Sequence, residues 1–136
     1  MPVRQATIKN TRQLLEENKA DDVVTTLGSI MAITAGLAVA ADSGTVAADL
    51  LGVCNQTIAA ADELTRVSYI VPTDEDTYIF PVTNSSDADH NGQAMVLTNA
   101  TTVNNTGTTS GTGIVEQVEP YGAATDKLII GKFLTK

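Results

Sequence analysis

From residue 22 onward, no apolar run lasts long before glycine, proline, asparagine, aspartate or serine interrupts it. That rhythm leaves little room for long helices and suits many short strands joined by turns. "VVTTLGSIMAIT" and "GLAVAAD" read as strands broken at Gly28 and Gly36, and "SGT" at 43–45 as a turn. "VAADLLGVCNQTI" is torn between helix-forming Ala and Leu and strand-forming Val, Thr and Ile. Gly52 decides for strand, because it would weaken a helix by roughly 1 kcal/mol relative to alanine. "TRVSYIVP" alternates, "TDED" turns the chain, and "TYIFPVTN" returns, with Pro81 placed near an edge or a bulge. "SSDADHNG" is a loop ending in Asn91–Gly92, "QAMVLTNATTV" a further strand, and 104–113 a polar loop. "IVEQVEP" and "DKLIIGKFL" close the chain as strands around the turn "YGAAT". The pattern predicts a mainly β protein: a small barrel or sandwich.

Composition agrees. Twenty of the 136 residues are threonine, which fits a pleated surface. Aromatics are 4% and tryptophan is absent, so the core is expected to rest on Val, Ile, Leu and Ala. Thr34–Leu64 alone holds nine alanines and three glycines but no histidine and no aromatic residue. Such a segment offers shape rather than chemistry.

The front of the chain is different. "PVRQATIK" (2–9) reads as an extended arm, and "NTRQLLEENKA" has helix formers with Asn10 or Thr11 as a cap, predicting a short helix over 11–19. "MPVRQATIKNTRQ" has no apolar signal core, and the longest apolar-looking stretch, "GSIMAITAGLAVAA", falls short of the roughly 20 residues of a membrane span. The expectation is a soluble product made in the cytoplasm, with no membrane partner.

Net charge is −8, unevenly spread. Residues 1–19 carry Arg4, Lys9, Arg12 and Lys19 against Glu16 and Glu17, residues 20–126 carry only Arg66 against fourteen acids, and Lys127, Lys132 and Lys136 follow. Basic ends flank an acidic body, which disfavours nucleic acid as a partner and could orient the domain on an acidic surface.

Sites for chemistry are thin. "DADHNGQAMVLT", from Asp87 to Thr98, matches the first half of a calcium loop but has Thr98 where a bidentate glutamate is needed, so it reads as a polar loop. Asp74, Glu75 and Asp76 read as a solvated turn tip. Ser85 or Ser86 with His90 and Asp87 could be drawn as a triad, but they share one loop and no nucleophile elbow supports them. "GTTSGTG" (107–113) follows no lysine and opens no helix, so it is no phosphate loop. Cys54, the sole cysteine, reads as a small buried residue. No catalytic, cofactor or metal site is expected, and no enzyme.

The element order resembles the small capsid decoration, or cement, proteins of tailed bacteriophages. The likeness rests on the Ala/Thr/Gly-rich stretch, on Leu51-Gly52-Val53-Cys54 followed by an alanine-rich turn, on "GIV" at Gly113–Val115, and on "LIIG" at Leu128–Gly131. It spans residues 22–134, while the longer arm and the loops at 84–92 and 104–113 depart from it. The resemblance implies a β-barrel or β-tulip-like domain (22–136), often trimeric, on the outer head surface, clamping neighbouring major capsid subunits. Residues 1–21 would be a capsid-binding arm with its short helix, with Pro2, Val3, Arg4, Ile8, Lys9 and Arg12 as contacts. Three arms of a homotrimer would pair with capsid edges by backbone hydrogen bonds. The competing reading is a fibre, baseplate or carbohydrate-binding β module.

Overall fold

The structure, a computed structural model, describes residues 3–7, 13–20, 24–59, 66–73, 76–106 and 113–134. Among them lie ten strands: β1 (Arg4–Thr7), β2 (Gln13–Asn18), β3 (Ile30–Thr34), β4 (Leu37–Ala40), β5 (Leu50–Cys54), β6 (Arg66–Val71), β7 (Thr77–Pro81), β8 (Ala94–Met95), β9 (Val115–Pro120) and β10 (Leu128–Phe133). Among the described residues, helix is confined to three single 3-10 turns, at Ala47–Asp49, Ala88–His90 and Ala124–Asp126. The chain is mainly β, as its turn rhythm implies.

The strands form two antiparallel sheets, ordered β1-β7-β10-β9-β8 and β2-β6-β5-β3-β4. Of the barrel or sandwich expected from sequence, a closed barrel is not formed among the described residues. The second sheet curls until its two edges approach, where Lys19 bridges Ala38 and the Ala20 N–H donates to Ala38 O at 3.1 Å. One bridge is not a ladder, so the barrel stays open. The loop after β8 ties the sheets together, with Ile30 N–H donating to Ala100 O at 2.7 Å.

The predicted helix over 11–19 is corrected. Gln13–Asn18 is β2, paired residue by residue with β6 from Gln13 opposite Val71 to Asn18 opposite Arg66. Leu and Glu favour helix by only tenths of a kcal/mol each, whereas six paired residues satisfy the backbone along a whole strand. The predicted strand over 93–103 is also cut short. Only Ala94–Met95 pairs with β9, and the chain then turns at Asn99, whose Oδ1 accepts from Thr101 N–H at 2.9 Å.

Between the sheets lies the main core. Ile30, Ala32, Val53 and Ile70 come from one side; Tyr78, Phe80, Met95, Val115, Ile129 and Phe133 come from the other. The core is therefore not purely aliphatic. Tyr78, Phe80 and Phe133 are among its largest fully buried side chains, with ring centroids 5.1 Å (Tyr78–Phe133) and 5.2 Å (Phe80–Phe133) apart in edge-on geometry. A second, smaller cluster of Met31, Ala38, Cys54, Ile58 and Val67 fills the opposite face of the β5 sheet. Ile58 reaches it because its backbone pairs with Thr25 in both directions, at 3.0 and 3.1 Å.

Small side chains have a direct use here. Ala38 and Ala41 are buried, and β3 turns into β4 through Ala35 and Gly36 at φ 53° and 79°. Two positive φ values make the tight hairpin turn whose twist matches its strands. Pro81 ends β7 beyond the last β1 pair, Arg4–Ile79, so its missing N–H breaks no β1 bond.

Candidate interaction edge

A sheet edge offers unpaired N–H and C=O groups to another chain, so an uncovered edge is a candidate place for a further strand to add. β2 and β4 approach one another through Lys19, Ala20 and Ala38. β8 has only two residues, and its continuation is covered by Asn104, whose N–H donates to Val96 O at 2.9 Å. β1 is different. Its inner edge pairs with β7 through Arg4–Ile79, Gln5–Tyr78 and Thr7–Thr77. Along its outer edge, no strand among the described residues pairs with Arg4–Thr7. Only its approach is fixed, by Val3 N–H donating to Gly28 O at 2.9 Å.

Val3 itself is 4% exposed and packs in the main core. That leaves Arg4 as the one residue of the expected contact set that sits on the open edge. Pro2, Ile8, Lys9 and Arg12 lie outside the described residues. Beside Val3 the surface dips into an apolar depression of about 260 Å³, lined by Val3, Leu27, Gly28, Val53, Cys54, Asn55 and Ile70. Leu27 stands 56% exposed at its rim.

Cys54 lines that depression from below, buried, with Sγ–H donating to Gln56 O at 3.0 Å. Burial pushes its thiol above the ordinary value, against the opposing pull of hydrogen bonds from Gln56, Thr25 and Thr26. Tyr69 is raised too, first by burial and then by the Glu17 carboxylate. Both groups hold their protons more tightly folded than unfolded. Their contribution is full below the unfolded values, 9.0 for the thiol and 10.0 for the phenol, and is lost as pH rises through the folded ones. The melting temperature is therefore expected to fall above pH 9, with a shallower fall in Cys54→Ala. A melting temperature that rises with pH across that window would contradict it.

The chemical motifs resolve as packing. Asp87 Oδ1 accepts from Asp89 N–H at 2.9 Å, which caps the 3-10 turn, and Asn91 Oδ1 accepts from Gln117 Nε2 at 2.9 Å. Two of the calcium-like loop's oxygens are thus engaged inside the protein. No cluster of three His, Cys, Asp or Glu side chains placed for a metal occurs among the described residues. Ser86 Oγ and His90 Nδ1 are each without a hydrogen-bond partner, so they do not bond one another as a triad requires. Asp74 and Glu75 lie outside the described residues, but Asp76 is 2% exposed, not a solvated tip. Most of the 104–113 loop also lies outside them.

What sequence reading missed is that Arg4–Thr7 is an edge strand with no partner on its outer side among the described residues. Strand order is a long-range property, and "RQAT" carries no mark of which side its partner takes. Three glycines of the stretches quoted above have a local packing reason. A Cβ on Gly52 would meet Ile70 O at 2.0 Å, one on Gly113 would meet Met95 N at 2.5 Å, and one on Gly131 would meet Glu116 O at 3.0 Å. These glycines stand where backbones crowd.

No protein-family model matches the chain, and no curated protein matches it in sequence. No helix among the described residues is long and apolar enough to cross a membrane.

Proposed function

We propose that this chain is a capsid decoration protein of a tailed bacteriophage, a non-enzymatic clamp on the outer head surface that joins neighbouring major capsid subunits. The outer edge of β1, without a strand partner among the described residues, carries this reading. An extended capsid segment can add to it as a further strand, with main-chain hydrogen bonds supplying affinity. The edge lies in the basic front of a chain whose middle, residues 20–126, is strongly acidic. Attraction to an acidic partner would orient docking, while the acidic body keeps coated particles apart. The two facing sheets, one of them curled, suit the β-tulip-like architecture that the resemblance implies. Three edges of a homotrimer would add by avidity.

Consecutive residues of a strand turn their N–H groups to opposite sides. One of Arg4→Pro and Gln5→Pro therefore removes an N–H from the open edge, and the other removes one from the β7 ladder. The edge variant is expected to keep the wild-type melting temperature and to bind isolated heads roughly fivefold more weakly per copy, for one hydrogen bond of about 1 kcal/mol. Co-sedimentation with expanded heads measures this. Wild-type binding by both variants would sink the edge assignment. Glycan binding with no affinity for heads would favour the fibre or carbohydrate-binding reading, for which Tyr121 is the only clearly exposed tyrosine among the described residues.

A further inference from the structure

We propose that the loop at 84–93 is fastened to β9 through one buried water molecule, held by Gln117 Oε1 together with Ser86 Oγ and His90 Nδ1. Gln117 is fully buried in the middle of β9. A buried amide is costly unless its donors and acceptor are all engaged. Both amide N–H groups are. Nε2 donates to Asp87 O at 2.7 Å and to Asn91 Oδ1 at 2.9 Å. The backbone is satisfied as well, with Gln117 N–H donating to Gln93 O at 3.2 Å and Gln117 O accepting from Gly92 N–H at 2.8 Å. Oε1 alone has no partner within the protein.

The orientation of that amide is not arbitrary. The Asp87 backbone carbonyl can only accept, so the end of the side chain facing it must be the NH₂ group. Turning the amide over would set two acceptors 2.7 Å apart. Oε1 is therefore the atom left over.

Two more buried polar atoms without partners belong to the same loop: Ser86 Oγ and His90 Nδ1. Ser86 directly precedes Asp87, and His90 N–H donates to the same Asp87 carbonyl, at 3.2 Å, that the Gln117 amide holds. The three unmet atoms thus belong to Gln117 and to two residues tied to the Asp87 carbonyl it holds, Ser86 by chain adjacency and His90 by its backbone N–H, and buried polar atoms without partners are rare enough to need a cause.

The chemistry of the three selects the ligand. Oε1 needs a donor, while the hydroxyl and the imidazole nitrogen can each donate or accept. Water can do both, and buried waters typically make about three such bonds. A calcium ion cannot serve. It would compete for Asp87 O and Asn91 Oδ1, which face the N–H groups of Gln117, and for Asp87 Oδ1, which caps Asp89.

A crystal structure at atomic resolution is the direct test. It is expected to show an ordered water within hydrogen-bond distance of Gln117 Oε1 and of Ser86 Oγ or His90 Nδ1. Density for no water there, or Oε1 bonded to a protein donor, would overturn the proposal. In solution, oxygen-17 relaxation dispersion counts long-lived internal waters. Gln117→Met keeps the chain length but removes the amide, and is expected to show one fewer such water. Its Gly92 amide should exchange roughly tenfold faster, for a loss on the scale of one hydrogen bond. An unchanged water count would refute the proposal. Should Gln117→Met not fold, Ser86→Ala and His90→Ala remove one partner at a time, and the wild-type crystal structure decides independently.

Discussion

Gly52→Ala is expected to destabilise the protein by about 3 kcal/mol or more, because the added methyl meets backbone rather than a movable side chain. β5 lies inside its sheet, between β3 and β6. The ladder to β3 slips at this point: Met31 faces Gly52, but Ala32 faces Leu50, leaving Leu51 as the extra residue of a bulge. The slip brings Gly52 against the next strand, where a Cβ would sit 2.0 Å from Ile70 O and 3.0 Å from Ile70 C. Ile70 cannot retreat without breaking its pair with Val53. The φ of 155° adds backbone strain for any L side chain. Gly36→Ala is the control. Its φ is 79°, yet nothing lies within 4 Å of an added Cβ, so only about 1 kcal/mol of conformational strain is expected. Urea unfolding of the two variants checks the contrast. Equal losses would mean that the close approach at Ile70 is not what Gly52 is for.

Removing residues 1–20 is expected to abolish folding altogether. The deletion takes away β1, the buried Val3 and all six paired residues of β2. It bares β7 and β6 along their lengths, turning two covered strands into sticky edges. A sequence reading that treats this segment as a separate arm expects a folded, soluble remainder, and the strand pairing gives the opposite expectation. The truncated chain should show no cooperative thermal transition and should accumulate in aggregates. A cooperative melt near the wild-type temperature would show that the front of the chain adds nothing to the body. For this reason the head-binding test above relies on point changes in β1 rather than on truncation.

Local pattern was enough to read much of the β content. β6, β7, β9 and β10 fall within runs whose alternation and flanking turns announce them, and β5 follows once Gly52 is taken as a strand residue. "QLLEEN" misleads because its propensity is helical while its environment is a six-residue ladder. The aromatics mislead by their scarcity. Few in number, they gather at the centre, since Tyr78 and Phe80 alternate onto the same face of β7 and Phe133 meets them from β10.

Gln117 shows why a site can stay hidden. In "VEQVEP" alternation from the buried Val115 turns the polar Gln117 inward and the apolar Val118 outward, the reverse of what hydrophobicity alone would assign. The ladder to β10 slips between Ile130 and Gly131, so Val118 is its extra residue and stands 42% exposed. The open edge of β1 is hidden for a different reason: it depends on which strands end up as neighbours, and no short window of sequence carries that information.

In the proposed role, the protein would coat a phage head in bulk. Quantitative mass spectrometry of purified virions, taken as the ratio of this chain to the major capsid protein, tests it most directly. A ratio fixed by the capsid lattice, comparable to that of the shell subunit itself, is the expected result. A trace ratio typical of a tail or fibre part, or absence from the particle, would contradict it.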